Sequence, residues 1–483
     1  MVPMTPASYN KYFKGGISIM DKTFLTIALI VYLVVLIVIG IIDIKKTKDF
    51  SNFAVAGKKQ TSFVVILSLL ATIIGASTTM GITTTVYNIG FPGIWWLLFG
   101  AIGLFLQSVF ISKKFRSLNA DTLPHAAGIM LGRPAEIIIA LIIVVSWIGV
   151  IAGQLVAMNG VISFITGKSS KTVFIIVSVA VILYTTIGGQ MSVVKTDVIQ
   201  FFIIVLGVLA CFIYLYFFAD GNTGMIFDKV ELLNNSYKPI NLVTQFFIIG
   251  GVYFLGPDIM SRNLLSKDSK TAKRSALLGG CVLVGYSLII VLIGMWIKCN
   301  ISPEELNNMN ALMYIIQSKI PSVVGIVLSL GLVSAILSSI DTCVINASSI
   351  LVKDIFRKDS VKLIRIVIIF MGGLALAFAL MGNGDIITFL SNAYSVYTPG
   401  VIFPLLIAIL CYKKKMIHVG IWVAAVICGG AFGFISSYFP KVVSGMNLPD
   451  FLANNFALIG MFVSLAVALL SVRWKQQDIN ENH

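Results

Sequence analysis

The chain has 483 residues, of which 58% are hydrophobic and 11% charged, where a soluble domain carries about 25% charged residues. So few charges cannot clothe a water-exposed surface, which excludes a soluble enzyme. The net charge of +15 does not mark a nucleic-acid binder, because Lys and Arg sit in short clusters between apolar runs, the pattern of membrane-protein loops.

Thirteen apolar segments of membrane-spanning length follow one another, at about 23–42, 63–89, 94–111, 136–160, 172–188, 197–218, 242–258, 275–297, 322–352, 364–382, 385–411, 418–438 and 453–472. The first is too long for a signal peptide and is followed by Lys45, Lys46 and Lys48, which stop transfer. Residues 1–22 read as an extracellular tail, with Met20 a second candidate start, and 473–483 as a cytoplasmic tail. One membrane-spanning domain covers 23–472.

Segment two carries Gly75 and Gly81 around the hydroxyl cluster Ser77, Thr78 and Thr79. Glycine and β-branched residues weaken a helix, and hydroxyls satisfy the backbone groups that a break frees. The run Gly188-Gly189 to Gln200 predicts an inner turn over 189–196, with Thr196 capping segment six and Asp197 in its first turn. Segment seven has two weak points, Gly250-Gly251 and Gly256-Pro257, and beyond them Asp258 and Arg262 stand at the i, i+4 spacing of an ion pair. Segments two to six and seven to eleven form two sets of five, about 63–218 and 242–411, so the second set starts inverted. Inverted-repeat transporters break the first helix of each set near the bilayer midplane.

Segment nine is the most informative. At about 100° per residue, Ala335, Ser338, Ser339, Thr342, Asn346 and Ser349 share an arc of about 100°, bordered by Asp341. A polar stripe on a membrane helix faces protein or water, and an ionisable residue there is a functional candidate. Hydroxyls, carbonyls and a carboxylate are hard oxygen ligands suited to sodium. Proton coupling through Asp341 or Asp197, or an uncoupled carrier, is the alternative. Gln107, Trp147, Gln154 and Tyr253 are further polar or aromatic residues within spans and candidates to line a solute pocket. The six cysteines are scattered, and no HExxH, GxSxG or phosphate-binding GxxxxGK[ST] occurs, so no enzymatic constellation is visible.

Thirteen crossings put the termini on opposite sides. With the N-terminus outside, 25 of the 35 Lys and Arg residues fall on the cytoplasmic side, which sets the orientation. The destination is the plasma (inner) membrane.

Three runs resemble the sodium:solute symporter family: Gly188-Gly189 to Thr196-Asp197 and Gln200; Gly256-Pro257-Asp258 to Arg262 and Lys267-Asp268; and Ala335, Ser338-Ser339 to Ser348-Ser349 and Asp354-Ile355. The resemblance covers about 21–475. It implies an all-α, LeuT-type inverted-repeat core with one helix before it and two after. It also implies a sodium ion held by carbonyls of Ala71, Ile74 and Ala335 and hydroxyls of Ser338 and Ser339. A second sodium, found in some members, would match Asp197, Ser338, Asp341 and Thr342, although relatives tend to have a hydroxyl where this chain has Asp341. Proline carriers of the family place an acid where this chain has Ile73. Ser77, Thr78, Gln107, Trp147, Gln154 and Tyr253 form a loose substrate set. The expected function is sodium-coupled import of a small polar solute (an amino acid, a carboxylate such as sialic acid, or a sugar) by a chain that works as a monomer and binds no nucleic acid.

Overall fold

The computed structural model describes residues 19–166, 170–307, 309–382 and 384–473. Among these, ten helices are long and apolar enough to cross a membrane, and one bent pair adds an eleventh span. The first helix, α1 (Ile19–Asp43), exposes Phe24, Val31, Val34 and Val38 and buries Leu25, Leu29 and Leu36 against the rest of the protein. Its apolar outer face is the one that lipid covers.

The next span is the bent one. Helix α2 (Ser62–Ile73) and helix α3 (Ile82–Ile89) meet at 54°, through a break at Ile74 (φ −79°, ψ 65°) and a π-helical turn at Ser77–Gly81. The hydroxyls foreseen there do the repair. Thr78 donates to the carbonyls of Ile73 (2.9 Å) and Gly75 (3.1 Å), and Thr79 donates to Gly75 (2.8 Å). Helix α4 (Trp95–Leu106) runs on through a second π turn at Gln107–Ile111. Helix α5 (Arg133–Thr166) follows.

Helix α6 (Lys171–Phe217) consists of two helical limbs that meet at Gly189, where φ is +64° and ψ −175°. Its two limbs run in opposite directions, as their neighbours reveal. Helix α10 (Ser322–Ile350) and helix α11 (Val361–Met381) are consecutive packed spans. The first limb descends along α11, with Ile182 against Gly372 and the Ile187 carbonyl accepting from Arg365. The second climbs along α10, with Asp197 at Ser338, Ile204 at Gly331 and Gly207 at Leu328. The expected eight-residue turn is therefore wrong. One glycine in the left-handed region reverses the chain, and no side chain fits there because a Cβ would lie 2.6 Å from the Phe53 ring. Asp197 consequently sits inside the limb, and Thr196 bonds back to the Val193 carbonyl (2.9 Å) instead of capping a helix.

Helix α7 (Pro239–Leu255) and helix α8 (Pro257–Leu265) are separated at Gly256, whose φ of −62° and ψ of 142° are extended. Pro257 suits the first turn of the helix that follows. Gly250 and Gly251, the other expected weak point, stay helical; they admit close neighbours, Gly103 and the side chains of Thr398 and Ile402. Helix α9 (Ser269–Asn300) packs on α4, α10 packs on α5, and α11 packs on α6. Helices α12 (Ile386–Cys411), α13 (Val419–Tyr438) and the short α14 (Phe456–Leu470) complete the bundle. Two-residue strands, β1 (Met416–Ile417) and β2 (Val472–Arg473), pair antiparallel. The centre is α10, which is buried without interruption from Gly331 to Ile350.

Candidate functional site

Two polar clusters lie between the broken span and α10. The first is at the break. Ser339 donates its hydroxyl to the carbonyls of Thr72 (3.1 Å) and Ala335 (2.9 Å). Gly75 passes so close that a Cβ would come 2.5 Å from that hydroxyl oxygen. Ala71 and Ile74 are fully buried beside it, at the end of α2, where the last carbonyls of a helix have no amides from a following turn. Of the five residues expected around the first sodium, four (Ala71, Ile74, Ala335 and Ser339) therefore sit at this junction. The fifth, Ser338, turns its hydroxyl the other way, to Asp197 Oδ1 at 2.5 Å.

The second cluster is built on Asp197, which is completely buried. It also accepts from Ser68 (2.5 Å) and from Arg262 Nη2 (3.1 Å). The same nitrogen reaches Thr72 Oγ1 at 2.5 Å and Thr342 Oγ1 at 2.6 Å. One cationic nitrogen is thus surrounded by oxygens from α2, α6 and α10, while α8 supplies the guanidinium. A buried ion pair is tolerated when hydrogen bonds satisfy its remaining valences; here hydroxyls serve Asp197 and both terminal nitrogens of Arg262, while Arg262 Nε has no partner. The expected local pair of Asp258 with Arg262 does not form; tertiary packing carries the guanidinium across to Asp197. Asp341 also stands apart. Its Oδ1 accepts from Thr185 on α6 at 2.6 Å, and its carboxylate also faces the Tyr184 hydroxyl on the same limb. Asp197, Ser338 and Thr342 of the second-sodium set are brought together, and Asp341 is not among them.

A third feature is a small cavity of about 30 Å³ beside the break. Ser77, Gln154 and Tyr253 line it, as the sequence suggested, together with Asp258, Cys343 and Tyr394, which it did not. The other three expected substrate residues lie elsewhere. Thr78 spends its hydroxyl on the break, Gln107 Nε2 lies 3.0 Å from Met260 Sδ, and Trp147 packs its ring behind the cavity, 6.4 Å from Tyr394 and 5.1 Å from Tyr397 between centroids. Asp258 opens α8, and its Oδ1 is buried without a partner. The signal for it was present: an acid directly after the Gly-Pro break, where a helix start favours negative charge.

A helical bundle with many membrane-length spans, one of them broken against a hydroxyl-lined helix, has the form of a secondary transporter. The model of the sodium:solute symporter family matches residues 53–428, and the chain belongs to that family. It is a multi-pass membrane protein that couples solute uptake to sodium, and not an enzyme. The osmoregulated proline transporter of Bacillus subtilis (strain 168) is 24% identical over 445 residues, covering 84% of this chain and 87% of that one. A sodium/proline symporter of Staphylococcus aureus (strain JH9) is 26% identical over 450 residues, 83% of each chain. Among solved structures, a substrate-bound, outward-open Na+-coupled sialic acid symporter superposes with a TM-score of 0.76 at 19% identity, over 94% of this chain and 99% of that one. That likeness fixes the fold as LeuT-type.

Proposed function

We propose that this chain imports a small amino or imino acid together with sodium by alternating access. The observation that carries the solute class is Asp258, a buried carboxylate with an unpartnered oxygen at the cavity wall. A carboxylate there attracts a primary or secondary ammonium group and repels an anionic solute such as sialic acid. The two proline-carrying relatives point the same way. At about 30 Å³ the cavity has room for about two waters, so solute enters only after the spans part.

Sodium binds at the break, held by the carbonyls of Ala71, Ile74 and Ala335 and the hydroxyls of Ser338 and Ser339. Supporting this is Ser339, already aimed between the two backbone segments. Ser338 would then rotate from Asp197 to the ion. A second sodium at Asp197, Ser338, Asp341 and Thr342 would require Asp341 to leave Thr185 and Arg262 to withdraw from Asp197 and Thr342. The reading further takes thirteen spans, counting α6 as two and α14 as one, arranged as inverted repeats of about 63–218 and 242–411. The N-terminus lies outside and the C-terminus in the cytoplasm, and a single chain suffices for transport.

The test is thermal stability of the detergent-purified protein in sodium against potassium, across amino acids, sugars and carboxylates. A ligand of the native state raises stability by mass action. Sodium should raise the midpoint, and a neutral amino or imino acid should raise it further in sodium only. A shift from sugars or from sialic acid alone would overturn the solute assignment.

A further inference from the structure

Two cavities on the protein's flank share one residue, Leu410; one is apolar throughout, and the other sets lysines beside Leu118, Ile129, Met130 and Ile409. The first is a groove of about 320 Å³ between α4, α7, α12 and α14, lined by apolar residues that include Leu106, Phe110, Phe254, Leu406 and Met461. Phe110 is 50% and Leu410 41% exposed, so the groove opens toward the bilayer. The second cavity, about 310 Å³, lies beyond the end of α12 and is lined by Lys114, Lys413 and Lys414 with Ser117 and Tyr412, and by no acidic residue. None of these three lysines takes part in an ion pair among the described residues. Lys413 holds a positive φ of 62° in the turn that carries Lys414, and the pairing of β1 with β2 anchors that turn from its far side.

We infer that the two adjoining cavities bind one anionic phospholipid from the leaflet these lysines face. An acyl chain lies in the apolar groove, and the phosphate lies among Lys114, Lys413 and Lys414. The charge pattern selects this occupant. A zwitterionic lipid carries a cation of its own that offsets the attraction of its phosphate to the three lysines, and a soluble anion would leave the groove unused. Basic pockets between membrane helices bind acidic headgroups in this way.

The experiment is native mass spectrometry of the full chain in detergent, titrated with phosphatidylglycerol or with phosphatidylcholine of identical acyl chains. At about fivefold per lysine near an anionic headgroup, phosphatidylglycerol should bind about a hundredfold more tightly. The K114Q/K413Q/K414Q protein should bring the two lipids to within about twofold, and Leu406→Trp, which fills the groove, should weaken both alike. An unchanged sodium-dependent thermal shift certifies that each variant is folded; if the triple variant fails that control, K114Q and K414Q singly should each cost about fivefold. Retained preference in the triple variant would overturn the proposal. So would glycerol 3-phosphate displacing the lipid at equal concentration, because the acyl groove would then contribute nothing.

Discussion

Replacing Arg262 by Gln removes the nitrogen that joins Thr72, Asp197 and Thr342. Asp197 would keep only the hydroxyls of Ser68 and Ser338. Breaking a buried ion pair by deleting one partner costs about 3–5 kcal/mol, or about two to nearly four orders of magnitude in an equilibrium. The cost falls only on conformations that hold α2, α6, α8 and α10 together. A conformation in which α8 has swung away hydrates Asp197 and escapes it, so R262Q favours opening on that side. Cys343 reports this, because it lines the cavity and is 2% exposed in the closed form. With Cys211, Cys281, Cys299, Cys411 and Cys428 replaced by Ser, a charged maleimide is added to one face of the membrane at a time. R262Q should accelerate alkylation of Cys343 at least about tenfold from one face only. An unchanged rate together with an unchanged thermal midpoint would refute the reasoning.

Three other outcomes are expected. Ser339→Ala removes the hydroxyl shared between the Thr72 and Ala335 carbonyls; at about 1.5–3 kcal/mol for a bond to a charged group, sodium titrations of thermal stability should shift about ten- to a hundredfold upward. Asp258→Asn should abolish the stabilisation given by amino or imino acids while the shift given by sodium alone persists, read in the same melting assay. Gly189→Ala forces an L-residue to φ +64° and ψ −175° and a Cβ to 2.6 Å from the Phe53 ring; the backbone strain alone is about 1–3 kcal/mol, and the yield of monodisperse protein should fall sharply.

Much of this was legible because the bilayer imposes simple patterns. Runs of apolar residues revealed the spans, and the angular stripe on segment nine marked a face turned away from lipid, although it did not show that the helix is buried on every side from Gly331 to Ile350. The break in segment two was readable because Gly75 and the threonines after it announce both the weakness and its repair. What escaped was set by distant partners or by one dihedral. Nothing local distinguishes a turn over 189–196 from a reversal at Gly189 alone, since apolar limbs flank both. Asp258 and Arg262 have the spacing of a local pair, yet Arg262 gains more from three oxygens on α2, α6 and α10. Gln107 and Thr78 have the chemistry of pocket residues, but their helices point them into packing and backbone repair.

The most direct test of sodium coupling at this site is uptake into proteoliposomes of the amino or imino acid that the melting screen selects. An inward sodium gradient is compared with an equal potassium gradient and with an imposed proton gradient. The account predicts accumulation with sodium alone, loss of it in Ser339→Ala at moderate sodium, and solute affinity raised by sodium by the same factor that solute raises sodium affinity. Accumulation driven by the proton gradient without sodium, and lost in Asp341→Asn, would contradict it.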